Sequence, residues 1–158
     1  MRALGLMSGT SMDGIAVALV TTDGDRELVR GPAMTFPYNA EQRRQIAHAM
    51  GEARTLTSRQ ARPGALRETE QTLTELHAAA ISAFLRHQGV PRASIDVVGF
   101  HGQTVLHRPE AGLTVQLGDG ALLSELTGLC VVFDLRAGDV AAGGQGAPLV
   151  PVYHRALV

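Results

Sequence analysis

The sequence predicts an α/β domain with a mixed sheet that begins as an antiparallel three-strand meander and continues with alternating helices and strands. Three observations favour this fold class. Short runs rich in β-branched residues, separated by turn-forming residues, fill the first 36 positions. Apolar residues then recur at helical spacing between positions 65 and 87. From position 94 onward, strand-like apolar runs alternate with helix-like segments.

The first two predicted strands, residues 3–7 and 15–20, are apolar runs joined by a polar turn. The second run is rich in β-branched residues, as strands are. Within the turn, Gly9 and Gly14 let the backbone bend and approach a ligand without a Cβ in the way. The turn is therefore the first candidate for a binding site.

The polar residues of this turn suit a phosphate group. Ser8, Thr10 and Ser11 supply hydroxyls, and the turn supplies free backbone N–H groups. Asp13 would repel a bare phosphate, so its presence indicates a divalent cation between carboxylate and phosphate oxygens. A tight hairpin turn made of ordinary turn residues explains the stretch about equally well, because short glycine motifs have many false positives.

A third strand and a short helix follow this hairpin. Residues 27–36 have the pattern of a strand, in which Gly31 and Pro32 must produce a bend or a bulge. Pro37 ends the strand, and residues 40–53 form a short helix with a polar face. Sequential strands joined by short turns form an antiparallel meander.

A long helix is predicted for residues 65–87. One face of this segment is apolar, and Gly89 closes it. The polar residues 55–63 before the helix form a loop. Residues 94–100 after it form a buried strand that ends abruptly at His101.

The remaining elements alternate in type. Residues 114–117 form a short strand, and residues 119–127 form a helix with Asp119 as its N-cap. Residues 129–134 form a further buried strand, and the glycine-rich residues 135–148 follow it. The whole order describes an open mixed sheet and matches the ribonuclease H-like lobe, where active groups gather at strand ends and in the first hairpin.

Composition excludes several function classes. With 158 residues, 45% of them apolar, the chain is long enough for one domain with a core. A net charge of −1 gives no electrostatic basis for binding nucleic acid or an anionic membrane. All 14 cationic residues are arginine. A Walker A phosphate loop and Schiff-base chemistry are excluded because both need lysine.

Cysteine and histidine usage is also informative. The single cysteine, Cys130, lies in an apolar run and is predicted to be a buried, inert thiol. The five histidines other than His101 lack metal-ligand spacing and are predicted to be surface or packing residues. No signal-peptide pattern or membrane-length apolar run is present in the sequence, so we expect a cytoplasmic protein.

A second candidate site directly follows the strand predicted at residues 94–100. Open α/β sheets place ligand-binding groups at such strand ends. His101 offers a base or a donor, Gln103 a bidentate amide and Thr104 a hydroxyl. The competing interpretation, which is favoured for this stretch alone, is that these side chains only satisfy backbone groups where a strand ends.

A third candidate is the stretch from Asp134 to Pro151, in which two carboxylates flank an arginine and a glycine run follows. Arg136 offers a bidentate fork for a substrate anion, and Asp139 could bind a sugar hydroxyl or assist a metal. An internal ion pair in a mobile surface loop is the alternative. The many glycines argue against it, since their ordering is costly unless backbone must approach a ligand closely.

Four motifs together resemble the anhydro-N-acetylmuramic acid kinase family in order and spacing. They are MSGTSMDG at residues 7–14, GFHGQT at 99–104, VQLGD at 115–119 and DVAAGGQGAPLVP at 139–151. The resemblance covers the whole chain. It places the chain in the sugar kinase and actin-like ATPase superfamily, whose members have two ribonuclease H-like lobes around a nucleotide cleft.

The resemblance implies a reaction in peptidoglycan recycling. An enzyme of this family opens the anhydro ring of 1,6-anhydro-N-acetylmuramic acid with water and transfers the γ-phosphoryl group of ATP to O6. The implied cofactors are ATP and Mg²⁺, and the implied partner is a small amino sugar, with no nucleic acid and no membrane.

The resemblance also assigns residues to this site. The first phosphate-binding loop would consist of Gly9, Thr10, Ser11, Met12, Asp13, Gly14, Ile15 and Ala16. In that loop Asp13 would help to hold Mg²⁺, directly or through water. The sugar side would be lined by His101, Gln103, Thr104, Arg136 and Asp139.

The sequence departs from the family pattern beside Arg136. Leu135, Ala137 and Gly138 stand where family members usually have an aromatic residue and two basic residues. A second cationic contact from this segment to the lactyl carboxylate of the substrate is therefore not supported.

The family's second lobe carries the aspartate that activates water, and its Gly-aromatic-Asp-x-Gly-Pro motif does not occur before Val158. We therefore expect residues 1–148 to form the first lobe, with no catalytic residue of its own and with the base beyond Val158. Residues 149–158 would start the connection to the second lobe. Apolar residues in that segment would allow self-association, for instance as a homodimer. The alternatives are a non-catalytic actin-like module that binds nucleotide or sugar, and a truncated, inactive product.

Overall fold

Residues 1–155 are described in a computed structural model of the chain. Its strands are β1 (Arg2–Ser8), β2 (Gly14–Thr22), β3 (Leu28–Pro37), β4 (Val97–Arg108), β5 (Leu113–Leu117) and β6 (Val131–Phe133). Its α-helices are α1 (Ala40–Glu52), α2 (Leu66–Gln88), α3 (Gly120–Thr127), α4 (Leu135–Ala141) and α5 (Pro151–Arg155). Short 3₁₀ turns occur at Ala53–Thr55, Arg92–Ser94 and Pro109–Ala111.

The strands form one mixed sheet in the order β3-β2-β1-β4, and β5 and β6 both pair with β4. β1, β2 and β3 are an antiparallel meander, whereas β4 runs parallel to β1 and β6 and antiparallel to β5. The predicted fold class is therefore confirmed. The predicted irregularity in β3 is also confirmed, because Gly31 and Pro32 bulge opposite the single residue Leu19.

The core lies between one face of the sheet and the long helix α2. Alternate residues of the strands point to this face, so Leu4, Val17 and Val98 have no exposed surface. On the helix, Leu73 and Phe84 are buried, with exposures of 1% and 0%. The apolar stripe predicted from helical spacing is thus the stripe that packs on the sheet.

The helices have clear capping residues, of which Asp119 and Gly89 were predicted from the sequence. Asn39 caps α1 through a capping box with Gln42. The Asp119 carboxylate accepts hydrogen bonds from the N–H groups of Ala121 and Leu122 at the start of α3, as predicted. Gly89 ends α2 in the left-handed conformation.

The prediction that a strand ends at His101 is wrong, because β4 continues to Arg108. Gly102 has φ of 69°, and the chain bulges there relative to β1. Beyond this bulge β4 pairs with β5, and a Cβ at Gly102 would crowd the carbonyl oxygen of Leu117. The glycine interrupts the pairing register without ending the strand.

Three further expectations are corrected near the C-terminal end. β6 spans only Val131–Phe133, and both Val132 and Phe133 are about half exposed because this strand lies at the sheet edge. Cys130, predicted to be buried, is exposed beside that edge. The glycine-rich segment begins with helix α4, which Ala137 and Val140 anchor as buried residues.

Apolar residues are exposed around α5, where Leu149, Val150 and Tyr153 have exposures of 38–49%. The last three residues of the predicted connection, 156–158, lie outside the described residues. The expectation that the catalytic base lies beyond Val158 therefore also falls outside the described part of the chain and stays a prediction. Among the described helices, none is long and apolar enough to cross a membrane.

Candidate functional site

The polar turn between β1 and β2 presents backbone and side-chain groups to solvent. Met12 N donates to Gly9 O at 3.0 Å, and Met12 has φ of 56°, which is uncommon for a non-glycine residue. The N–H groups of Thr10 and Ser11 at the tip have no acceptor among residues 1–155. Donors arranged in such a turn can receive an anion.

The second half of this turn is packed against β3. A Cβ at Gly14 would overlap the carbonyl oxygen of Phe36, so only glycine fits. Ile15 is 2% exposed and belongs to the core, and Ala16 is half-buried. Any contact of Gly14 and Ile15 with a ligand would therefore come from their backbone.

Three buried side chains fix the turn from below. Gln103, at 0% exposure, accepts a hydrogen bond from the Ser8 hydroxyl at 2.5 Å. The Tyr38 hydroxyl lies 2.8 Å from Ser8 Oγ and donates to it, since the only Ser8 proton goes to Gln103. Burial raises the pKa of Tyr38, which keeps that donor protonated.

The same cluster holds both ends of the turn. Gln103 Nε2 donates to Gly9 O at 3.3 Å, and Tyr38 N donates to Asp13 O at 3.1 Å. The Gln103 amide is fully buried, and it bonds Ser8 Oγ, Gly9 O and Thr104 O. Contact between Gln103 and a substrate stays a prediction. Through these contacts Gln103 positions the turn between β1 and β2.

A second cluster joins β4 to helix α4 and the glycine run. Arg136 Nη2 lies 3.0 Å from His101 Nε2, and Arg136 Nη1 donates to Gly146 O at 3.0 Å. The Asp139 carboxylate accepts from Gly146 N at 2.7 Å. Gly144 packs against the Asp139 carboxylate, where a Cβ would overlap it. The structure thus brings together three of the predicted sugar-side residues.

The protonation state of His101 follows from these contacts. A guanidinium only donates, so His101 Nε2 is an acceptor, and the proton on Nδ1 is donated to Gly102 O at 2.7 Å. Burial lowers the pKa of His101, and the nearby Arg136 charge lowers it further. His101 is therefore neutral at pH 7, with Nε2 committed to Arg136. Thr104, half-buried, accepts from Gln116 Nε2 at 3.2 Å.

A cavity of about 200 Å³ adjoins His101. Its walls include Arg59, Arg62, Phe100, His101, Gln116 and Phe133. Sequence reasoning missed Arg59 and Arg62, which lie in the loop before α2. Nothing in the local sequence indicates that this loop folds back towards β4, so no signal could have identified them.

The chemistry of the turn fits a magnesium ion bound together with a phosphate. Asp13, Thr10 and Ser11 are exposed oxygen-bearing residues, and oxygen is the donor that Mg²⁺ prefers. Among residues 1–155, no three His, Cys, Asp or Glu side chains form a metal-binding group. Ligand or water oxygens would have to complete the coordination.

These observations first define the class of protein. A sheet with a leading antiparallel meander, helical segments packed on it and a polar turn between its first two strands is a ribonuclease H-like lobe of the actin-like kind. The sequence profile of the family described as anhydro-N-acetylmuramic acid kinase matches residues 1–158, and the chain belongs to that family.

Individual relatives agree with this assignment. A Rhizobium etli protein named anhydro-N-acetylmuramic acid kinase is 59% identical over 155 residues, which cover 98% of this chain and 42% of that protein. An Azorhizobium caulinodans protein of the same name is 59% identical over 158 residues, covering 100% of this chain and 43% of that protein. A Brucella canis protein of the same name is 54% identical over 156 residues, covering 99% of this chain and 42% of that protein. The chain thus spans less than half the length of these relatives.

Proposed function

We propose that this chain is the nucleotide- and sugar-binding lobe of a kinase that acts on 1,6-anhydro-N-acetylmuramic acid. In the proposed reaction, water adds to C1 of the sugar and gives up a proton to a base, the bond between C1 and O6 breaks, and O6 receives the γ-phosphoryl group of ATP as ADP is released. The observation that carries the proposal is the buried Ser8–Gln103–Tyr38 cluster, because it holds a donor-rich turn in one conformation beside β4.

The turn at residues 9–16 would receive the phosphates of ATP. Backbone N–H groups at Thr10 and Ser11 would donate to phosphate oxygens, and Asp13 would hold Mg²⁺ directly or through water. When bound, Mg²⁺ neutralises charge on the phosphate oxygens. A turn fixed before the ligand arrives loses less conformational entropy on binding.

The sugar would occupy the side of the sheet formed by His101, Thr104, Arg136 and Asp139. His101 is neutral, and its Nε2 atom is engaged by Arg136, so we assign it to positioning Arg136. Arg136 in turn holds Gly146 O, and Asp139 holds Gly146 N. These contacts order the glycine run so that its backbone can approach a sugar.

We assign no general base to residues 1–155, and the isolated chain is expected not to complete phosphoryl transfer. The base would come from beyond Val158, in the part of the family's length that this chain does not span. A cytoplasmic location and self-association through the exposed apolar residues near α5 remain part of this proposal.

Calorimetric titration of the 158-residue chain tests the binding assignments. We expect a non-hydrolysable ATP analogue to bind only with Mg²⁺, and the Asp13→Asn variant to weaken this binding. The anhydro sugar should bind independently of Asp13. Thr35→Ala, an exposed change on β3, is the matched control.

The outcomes separate the competing functions. Nucleotide binding without sugar binding would favour a non-catalytic actin-like module over a kinase lobe. Efficient ATP-dependent phosphorylation by the isolated chain would contradict the assignment of the base to a region beyond Val158.

A further inference from the structure

We propose that Arg59 recognises the carboxylate of the acidic sugar. The inference rests on the proposed function and assigns the anion contact to the loop before α2, in place of Arg136. The anion in question is the lactyl carboxylate, the group that distinguishes a muramic acid from a glucosamine.

Arg136 is poorly placed for this contact. Its two terminal nitrogens already bind His101 Nε2 and Gly146 O, each at 3.0 Å, and its Nε is buried without a partner among residues 1–155. It is not among the residues that line the cavity beside His101. Its guanidinium is therefore used to hold the glycine run.

Arg62 lines the cavity, but its guanidinium is also occupied. Its side chain is 15% exposed, and Nη2 forms an ion pair with Glu70 at 2.8 Å. Nη1 donates to the carbonyl oxygens of Arg59 and Ala61 at 2.7 and 3.0 Å. Its remaining Nε is inaccessible. Arg62 thus organises the loop and contributes positive charge without a free donor towards the cavity.

Arg59 is the lining cation that remains available. Its side chain is 45% exposed, and its ionic partner in the described part of the chain is Asp134, which also lines the cavity and is 35% exposed. A guanidinium has five N–H donors, of which a single carboxylate engages at most two. The backbone carbonyl of Arg59 accepts a hydrogen bond from Arg62 Nη1 at 2.7 Å, which holds the main chain from which the Arg59 side chain extends.

Asp134 limits the strength of the proposed contact between Arg59 and the substrate carboxylate. Its negative charge repels a second carboxylate on the same guanidinium. It also has φ of 61°, a left-handed conformation that asparagine tolerates well. Asp134→Asn therefore removes the charge with little effect on the backbone.

The test compares two ligands on the 158-residue chain by calorimetry. They are 1,6-anhydro-N-acetylmuramic acid and 1,6-anhydro-N-acetylglucosamine, which lacks the lactyl group. We expect Arg59→Gln to weaken binding of the acidic sugar roughly tenfold, as for loss of a partly exposed charge-assisted hydrogen bond. Asp134→Asn should strengthen binding of the acidic sugar. Neither change should alter binding of the neutral sugar.

Arg54→Gln is the matched control, because Arg54 is exposed in the preceding turn and does not line the cavity. Equal binding of the acidic sugar by Arg59→Gln and the parent chain would overturn the inference while leaving the proposed function in place. If neither sugar binds the parent chain, both the inference and the proposed sugar site are wrong.

Discussion

The Ser8 hydroxyl lies 2.5 Å from the Gln103 amide oxygen, and neither side chain has any exposed surface. This contact joins the end of β1 to the middle of β4, 95 residues apart in the chain. Through Gln103 Nε2 it extends to Gly9 O, and through Tyr38 it extends to Asp13 O. The conformation of the turn at residues 9–13 therefore depends on side chains that are fully or almost fully buried.

We predict that Gln103→Leu lowers the free energy of unfolding by about 1–3 kcal/mol, because it leaves the buried Ser8 hydroxyl proton without its acceptor and removes the Gln103 donor from the Gly9 carbonyl. Amide hydrogen exchange at Met12 and Tyr38, whose N–H groups donate to Gly9 O and Asp13 O of the turn, should accelerate more than elsewhere. Chemical denaturation and exchange mass spectrometry measure these effects. Gln71→Leu, an exposed change on α2, is the control. Unchanged exchange in the turn would show that Gln103 does not position it.

Gly14 and Gly51 provide a pair of glycine-to-alanine changes with opposite expected signs. A Cβ at Gly14 would overlap the Phe36 carbonyl, whereas a Cβ at Gly51 meets no described atom within 4 Å. Gly51 lies inside helix α1. Gly51→Ala should therefore stabilise the chain by about 0.5–1 kcal/mol.

For Gly14→Ala we expect a loss of at least about 2 kcal/mol, similar to other overpacked sites, and weaker nucleotide binding. Thermal unfolding of both variants under the same conditions gives the comparison. A Gly14→Ala variant as stable as the parent chain would mean that β2 and β3 separate there without cost.

The elements that were predicted correctly from the sequence have local signals that mark where they begin or end. Helix α1 has its capping box, α3 its Asp119 cap, and the meander its short turns. The continuation of β4 past Gly102 depends on pairing with β5, which is a long-range contact. No local pattern could distinguish that bulge from the end of a strand.

Helix α4 illustrates a second limit. Gly138 lowers the intrinsic helix propensity of its segment, and the helix is held by the burial of Ala137 and Val140. Roles in the candidate functional site are likewise decided by tertiary contacts that the local sequence does not reveal. A glutamine that binds a ligand and one that fixes a turn look alike in sequence, so only the buried contacts of Gln103 separate the two roles. Arg59 was missed because its loop approaches the cavity through tertiary structure.

The exposure of Cys130 predicts a reactive thiol. The chain has one cysteine, so Ellman's reagent should modify one thiol per native chain. We expect the rate of Cys130 modification in the native chain to be within about tenfold of the rate in denaturant, because the exposed thiol is accessible to the reagent. A thiol that reacts only after unfolding would indicate that this edge of the sheet is covered in solution, for instance by self-association.

Stability should also fall in mild acid, because His77 is buried as a neutral group. His77 has 0% exposure, its Nδ1–H donates to Leu73 O at 2.7 Å, and its Nε2 has no partner among residues 1–155. Its ring packs against Phe100 with centroids 4.9 Å apart. Burial lowers the pKa of His77 to about 4, from 6.5.

Below pH 6.5 the unfolded chain therefore binds a proton that the folded chain does not. The contribution of His77 to stability is complete above that pH and is lost as the pH falls towards 4. Linkage gives a loss of about 2 kcal/mol by about pH 5. The pKa of His101 is also lowered, and His101 adds its own pH dependence, so the relevant quantity is a difference between variants.

Urea denaturation of the parent chain and His77→Leu at about pH 8 and about pH 5 measures that difference. We expect the parent chain to lose about 2 kcal/mol more than His77→Leu between these conditions. His87→Leu, an exposed change near the end of α2, should retain the full pH dependence. Parallel losses in the parent chain and His77→Leu would mean that His77 gains its proton without unfolding, through an opening of α2 away from β4.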